Sequence, residues 1–255
     1  MVTPMDESGG IDFEALRGLV NFHVSNSTDA IISVGTTGES ATLDIDEQIT
    51  VIEKTIEYAN DRIPIIAGSG GNSTSEALEL TSRAAQAGVH ACLLVVPYYN
   101  KPTQHGLYEH FRTIADTVDI PQILYNVPSR TALDMDNDIV VKLAKIENIV
   151  GIKDATSDIP RVVDFRNRCG AEFAIYSGND DTALSLIEAG GDGCISVTAN
   201  VAPKLMHQMC SAAVNGDLAM ARELNTRLDP LHNALFLESN PIPTKWALHL
   251  SLIHI

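Results

Sequence analysis

The chain has 255 residues, 45% of them hydrophobic and 20% charged, which supplies a sizeable core and excludes both a disordered tail and a disulfide miniprotein. Seventeen basic residues stand against thirty-three acidic ones, a formal charge of -16, the wrong sign for a nucleic-acid footprint or an anionic membrane surface. The longest apolar stretches, such as residues 91–97, have strand length and fall far short of the ~20 residues a membrane span requires. The start MVTPMDESGG carries neither a basic n-region nor an apolar h-region, and the four cysteines, Cys92, Cys169, Cys194 and Cys210, form no CxxC pair. The expectation is a soluble cytoplasmic protein with reduced thiols.

In chain order, residues 2–4 are the stub of a strand. Short apolar runs rich in β-branched residues follow at 30–34, 63–67, 91–96, 121–125, 149–153, 172–176 and 193–197, about thirty residues apart. The gaps carry helical patterns, as at 46–60, 73–87, 107–117 and 201–214, with Asp44 and Ser73 placed to cap the first two. A strand and a crossover helix, repeated without hairpin signals, make parallel neighbours, and near-continuous apolar strands mean that both sheet faces are covered. Seven such units and the stub point to an α/β fold, a (β/α)8 TIM barrel. The rival doubly wound sheet lacks its phosphate fingerprint after the first strand. Residues 217–236 read as a further long helix, and NPIP at 240–243 as a breaker before a last helix from Thr244. The chain thus divides into a barrel, 1–215, and a partial C-terminal helical region packed on it, 216–255.

The active site of such a barrel lies at the carboxyl ends of its strands. There the sequence sets Thr36 and Thr37 in VGTTGES, Tyr98 and Tyr99 in VVPYYN, and Tyr125, Asn126 and Arg130 in LYNVPSRT, with Lys153 in VGIKDAT and Ser177 and Gly178 in YSGND. Strand alternation puts Lys153 on the face of Gly151, opposite Val150 and Ile152, and so into the barrel. An ordinary lysine amine is neutral in only roughly one part in 2,500 at pH 7; lowering its pKa to ~7 takes about 4.6 kcal/mol, within the reach of desolvation. The neutral amine attacks a ketone to give a Schiff base. The plainer reading is a strand-end lysine paired with Asp154. The tyrosines and the threonine pair could form a proton-moving chain of hydroxyls, or be buried structural side chains. Arg130 offers a planar fork to a carboxylate, or a surface ion pair. GSGGNS at 68–73 could cradle a phosphate, or be a simple strand-to-helix turn. His23, His90, His105 and His110 show no HxH or HExxH spacing and the acidic residues no clustering, so no metal is expected.

Taken together, GTTGESATL, PYYNKPTQHGLYEHF, PQILYNVPSRT, GIKDAT and ISVTANVAP resemble, in order and spacing, the dihydrodipicolinate synthase family, from Val2 to about Trp246. The resemblance implies a lyase of lysine and diaminopimelate biosynthesis, a class I aldolase-like enzyme that needs no cofactor and condenses pyruvate with L-aspartate 4-semialdehyde. It implies Lys153 as the Schiff-base lysine, Tyr125 as the acid/base, and Thr37 and Tyr99 as the rest of the proton relay. Thr36 and Thr37 would bind substrate, with Thr36 on a carboxylate, Arg130 on the carboxylate of the semialdehyde, and Gly178 and Ile195 lining the pyruvate pocket. Tyr99 matches a residue that reaches into a neighbouring subunit's site, and the resemblance implies a homotetramer, a dimer of dimers with shared active sites. Ser40, Ala41, Asn72, Glu76 and Tyr98 match a lysine-inhibition site, and Ile45 and Gln48 stand where strongly inhibited relatives often carry histidines, so weak feedback is expected.

At the ends, the family begins with an apolar strand before VTPM and continues with helices after the KWA at 245–247, while SLIHI at 251–255 has no counterpart. The expectation is a barrel whose first strand and last helices are largely missing. A competing reading within the enzymes is a related 2-oxo acid aldolase, of the N-acetylneuraminate lyase or 2-keto-3-deoxy sugar-acid type, against which Thr36-Thr37 and NVPSRT argue. A reading of another class is an inactive or merely ligand-binding barrel.

Overall fold

Burying an apolar strand on both faces requires helices on one side and a side-chain-filled interior on the other, and the computed structural model, which describes residues 1–251, shows that arrangement. Among the described residues seven strands pair in sequence order, all parallel: β1 (Ile31–Ser33), β2 (Ile65–Gly68), β3 (Ala91–Val95), β4 (Gln122–Asn126), β5 (Ile149–Asp154), β6 (Ala174–Ser177) and β7 (Gly193–Cys194). Around them lie α1 (Phe13–Ser25), α2 (Ile45–Ala59), α3 (Thr74–Ala87), α4 (Gln104–Thr117), α5 (Pro128–Thr131), α6 (Asn137–Leu143), α7 (Ile159–Cys169), α8 (Ala183–Glu188), α9 (Pro203–Val214), α10 (Leu218–Ala234) and α11 (Ile242–Leu250). None of the described helices is long and apolar enough to cross a membrane.

Local chemistry fixes the helix starts. Asp44 and Glu47 form a reciprocal capping box on α2, Ser73 accepts from Glu76 N on α3, and Thr103 accepts from Gly106 N on α4. α1, which the strand pattern leaves unmarked, is capped by Asp12 and buries Leu16, Leu19, Val20 and His23 on one stripe. The outer layer of the core lies between sheet and helices. Leu16, Val20, Ile52, Ile65 and Ala67 fill it beneath α1 to α3, and Leu94, Phe111, Leu124, Ile152, Phe165 and Ile175 beneath α4 to α8. The inner layer takes Ile32, Ile66, Leu93, Val95, Ile123, Tyr125, Val150 and Tyr176 from β1 to β6, with Ile195 just beyond β7.

Two expectations need correction. Val150 packs inside the barrel, not opposite Lys153, because the β4–β5 register slips by one residue between Gln122 and Ile123, so that Gln122 pairs with Ile149 and Ile123 with Gly151. The stub at 2–4 is not a strand: the only bridge there is an isolated antiparallel one between Met5 and Ile11. Instead, Val2 N donates to Asn200 Oδ1 at 2.9 Å and Thr3 Oγ1 to Gly38 O at 2.7 Å, so this stretch ties the loop after β1 to the loop after β7 across edges that do not pair with each other.

Beyond the barrel, α10 packs on α9, with Ala221, Leu224 and Leu228 against Met206, Met209 and Ala213. The chain then returns over the barrel mouth, where Leu248 of α11 meets Val2 and Leu19. Of the SLIHI segment only Ser251, whose N–H donates to Ala247 O, falls within the described residues.

Candidate active site

The in-register row Tyr125–Lys153–Tyr176 across β4, β5 and β6 brings the strand-end residues to one level of the barrel interior. Lys153 is 8% exposed, and its Nζ lies 4.2 Å from the centre of the Tyr125 ring. Among the described residues it has no carboxylate partner, because Asp154 is engaged elsewhere. Asp154 Oδ1 accepts from Thr156 N and Thr156 Oγ1, and its Oδ2 lies 3.4 Å from Arg161 Nε. The Lys153–Asp154 pair read from sequence therefore does not form. Burial pushes the Asp154 carboxyl above the usual carboxylate range, against the pull of Thr156 and Arg161.

Gly178 explains itself by contact. A Cβ built on it would lie 2.7 Å from Ala155 Cβ and 3.1 Å from Lys153 Cε, so only glycine leaves the lysine side chain its present course. Below it, Gly151 allows β5 and β6 to approach, since a Cβ there would come within 2.6 Å of Ala174 O. Ile195 packs into the inner layer one residue beyond β7, its N–H bonded to Ser177 O. A cavity of about 500 Å³ runs from Lys153, Thr36 and Thr37 past Ile195 to the unpaired edges of β1 and β7.

Thr36 and Thr37 open a short 3-10 turn, Thr36–Gly38, directly after β1. Thr37 Oγ1 accepts from Asn240 Nδ2 at 2.8 Å, whereas the Thr36 hydroxyl makes no hydrogen bond among the described residues. Arg130, on the exposed turn α5, has no acidic partner among the described residues and donates from Nη2 to Asn240 O at 3.1 Å. Tyr99 stands apart. It is 90% exposed, and its φ of 74° places its backbone in the left-handed region.

Other candidates serve the frame. Asn126 is fully buried, donating to Asp134 Oδ1 and accepting from Met135 N, and Ser177 Oγ donates to Asn179 O. The glycines of GSGGNS allow close packing, since a Cβ on Gly70 would sit 2.2 Å from Val95 N and one on Gly68 would sit 2.3 Å from Val34 O. Ser40 and Ala41 lie on the turn Ser40–Thr42 after β1, while Asn72 and Tyr98 lie in the loops after β2 and β3 and Glu76 in the first turn of α3. Gln48 Nε2 donates to both Ser40 O and Leu43 O, and Ile45 packs on the outer core, so neither side chain is free for a ligand.

Asn240, Lys245 and Glu39 lie outside the strand-end pattern and join the site only in the folded chain. NPIP signalled only a helix breaker, yet Asn240 touches both Thr37 and Arg130, and Lys245 Nζ pairs with Glu39 Oε2, two residues beyond Thr37. An amide and a lysine flanking prolines at a predicted turn were the available signal.

Comparison with known proteins agrees with this geometry. The profile of the Dihydrodipicolinate synthetase family matches residues 1–253. A protein of Thioalkalivibrio sulfidiphilus named 4-hydroxy-tetrahydrodipicolinate synthase is 60% identical over 97% of this chain and 84% of its own, and one of Pseudomonas aeruginosa with the same name is 57% identical over 98% and 85%. The crystal structure of dihydrodipicolinate synthase from Acinetobacter baumannii complexed with pyruvate superposes with a TM-score of 0.98 at 53% identity, covering 100% of this chain and 88% of that one. That from Thermotoga maritima gives 0.97 at 41% identity, covering 100% and 88%. A matched profile over nearly the whole chain and curated relatives near 60% identity agree with the strand-end lysine, tyrosine and threonine pair: the chain belongs to the dihydrodipicolinate synthetase family.

Proposed function

We propose that the chain catalyses the 4-hydroxy-tetrahydrodipicolinate synthase reaction, joining pyruvate to L-aspartate 4-semialdehyde in lysine and diaminopimelate biosynthesis. The observation that carries this reading is Lys153: buried, without a carboxylate partner among the described residues, beside the Tyr125 ring and Gly178 at the mouth of a cavity. Its Nζ lone pair adds to C2 of pyruvate, and loss of water gives a protonated imine. Removal of a C3 proton yields an enamine whose C3 attacks the aldehyde carbon of the semialdehyde. The amino group of that second substrate then adds to C2 and displaces Lys153, closing the ring and freeing the enzyme. Tyr125, against the lysine, transfers the protons of the imine step.

The hydrogen bonds favour a division of the threonines opposite to the one the resemblance implies. A relay hydroxyl accepts and donates in turn, which suits Thr36, whose hydroxyl is uncommitted among the described residues. Thr37 already accepts from Asn240, and its remaining proton suits a carboxylate, which only accepts. Arg130, without an acidic partner, takes the carboxylate of the semialdehyde, and Gly178 and Ile195 line the pyruvate pocket. The enzyme works in the cytoplasm with its two substrates alone. Borohydride reduction in the presence of pyruvate, followed by peptide mapping, tests the reading: it places a stable adduct on Lys153, and an unmodified Lys153 rejects the mechanism.

Tyr99 completes the relay of a neighbouring subunit in a homotetramer, a reading supported by its exposure and its left-handed backbone. Mixing a Tyr99→Phe protein with a Lys153→Ala protein restores activity, because a mixed pair assembles one site with both groups intact. Mixtures no more active than the sum of their parts, with subunit exchange verified by mass spectrometry, would exclude a shared site.

Lysine binds weakly at Ser40, Ala41, Asn72, Glu76 and Tyr98, since Ile45 is apolar and the Gln48 amide is spent on Ser40 O and Leu43 O. A lysine titration of turnover gives partial inhibition in the millimolar range, and submicromolar inhibition overturns the proposal.

A further inference from the structure

Asn240 lies in the link between α10 and α11 and is 7% exposed. All three of its polar functions that face the barrel mouth are engaged. Thr244 Oγ1 donates to its Oδ1 at 3.4 Å, its Nδ2 donates to Thr37 Oγ1 at 2.8 Å, and its main-chain oxygen accepts from Arg130 Nη2 at 3.1 Å. Thr244 is itself fully buried. One residue of the C-terminal segment, 203 positions from Thr37, therefore holds the turn after β1 and the turn after β4 at once.

We propose that Asn240 is a positioning residue that fixes the Thr37 hydroxyl as a donor toward the carboxylate of pyruvate. This rests on the reading of the site given above. A hydroxyl has one proton and two lone pairs. Accepting from the Asn240 amide occupies a lone pair and leaves the proton for an acceptor, and a carboxylate offers nothing but acceptors. The main-chain bond to Arg130 belongs to the backbone of residue 240, so it survives replacement of the side chain and separates the two substrates experimentally. The pairing of Lys245 with Glu39, which docks α11 on the same turn, holds the segment in place without the Asn240 side chain.

The test measures both Michaelis constants, together with borohydride trapping of pyruvate, for four variants. Asn240→Ala raises the KM for pyruvate about tenfold, the worth of one oriented hydrogen bond to a charged group, and leaves the KM for the semialdehyde within twofold. Its adduct on Lys153 still forms fully at saturating pyruvate. Asn240→Asp, isosteric and the variant to rely on if Asn240→Ala fails to fold, takes the Thr37 proton for itself and sets a negative charge beside the pyruvate carboxylate. Its KM for pyruvate rises further, about a hundredfold. Arg130→Ala gives the mirror image, with the semialdehyde KM raised and that of pyruvate kept. Lys245→Met, which loosens the whole segment, raises both. An unchanged pyruvate KM in Asn240→Ala and Asn240→Asp, or a joint rise of both constants like that of Lys245→Met, overturns the proposal. Failure of the unaltered enzyme to form any pyruvate adduct would overturn the underlying reading instead.

Discussion

Lys153→Ala abolishes synthesis, with turnover lower by at least ~10⁴-fold, while the fold persists. The change deletes the only nucleophile in the proposed reaction, and without a covalent enamine the remaining groups can only hold two substrates side by side. Stability changes little, because two opposing terms nearly cancel. Removing the ammonium gives up its contact with the Tyr125 ring, 4.2 Å away, worth about 0.5–2 kcal/mol. It also relieves the cost of burying an amine that has no carboxylate partner among the described residues. No acid is orphaned, since Asp154 looks to Thr156 and Arg161. Steady-state kinetics and calorimetry of the same preparation check both halves. Synthesis within a hundredfold of the parent rate sinks the Schiff-base mechanism, and a loss of the folded state would show that Lys153 bears structural weight the contacts do not reveal.

The residues that were legible in the sequence are those whose signal is local. A lysine ending the run IVGI, a tyrosine ending QIL and a threonine pair after a glycine all declare themselves by strand periodicity, and the register confirms that Tyr125 and Lys153 lie side by side. The one-residue slip between β4 and β5 was not legible, because it arises from pairing between strands about thirty residues apart and moves Val150 inward with no change in the pattern of its own strand. The closure of the mouth was likewise invisible. Asn240 meets Thr37 across 203 residues, and its amide is unremarkable until the segment carrying it folds back. Arg161 carries no strand-end signal in the sequence, yet from α7 it serves as the counter-ion to the carboxylate next to Lys153. Long-range contacts decide these cases, whereas periodicity decides the strands.

Arg161→Met destabilises the protein by about 3–5 kcal/mol at neutral pH, the cost of leaving a buried carboxylate without its counter-charge. Arg161 is 8% exposed and Asp154 5%. Its guanidinium donates to Asp134 from Nη1 and to Met135 O from Nη2, stands over the Phe165 ring, and sets Nε 3.4 Å from Asp154 Oδ2. Methionine replaces the stem of the side chain and its packing but none of the charge, and at this chain length the loss lowers the Tm by roughly 10 °C. The pH dependence identifies the cause. Burial already holds the Asp154 carboxyl above its usual range, and deleting the guanidinium removes one of the groups pulling it down. An acid whose folded pKa is raised deprotonates first in the unfolded chain, so the stability of the variant declines as pH rises from about 4 toward the folded pKa, at up to ~1.4 kcal/mol per unit. The deficit against the parent is therefore smaller at pH 5 than at neutrality. Adding Asp154→Asn to the variant removes the need for a counter-ion and recovers most of the lost stability. Thermal melts of the three proteins at pH 5 and pH 7.5 decide it: a deficit independent of pH, or a double variant no more stable than Arg161→Met, would place the role of Arg161 in its bonds to Asp134 and Met135 and not in its charge on Asp154.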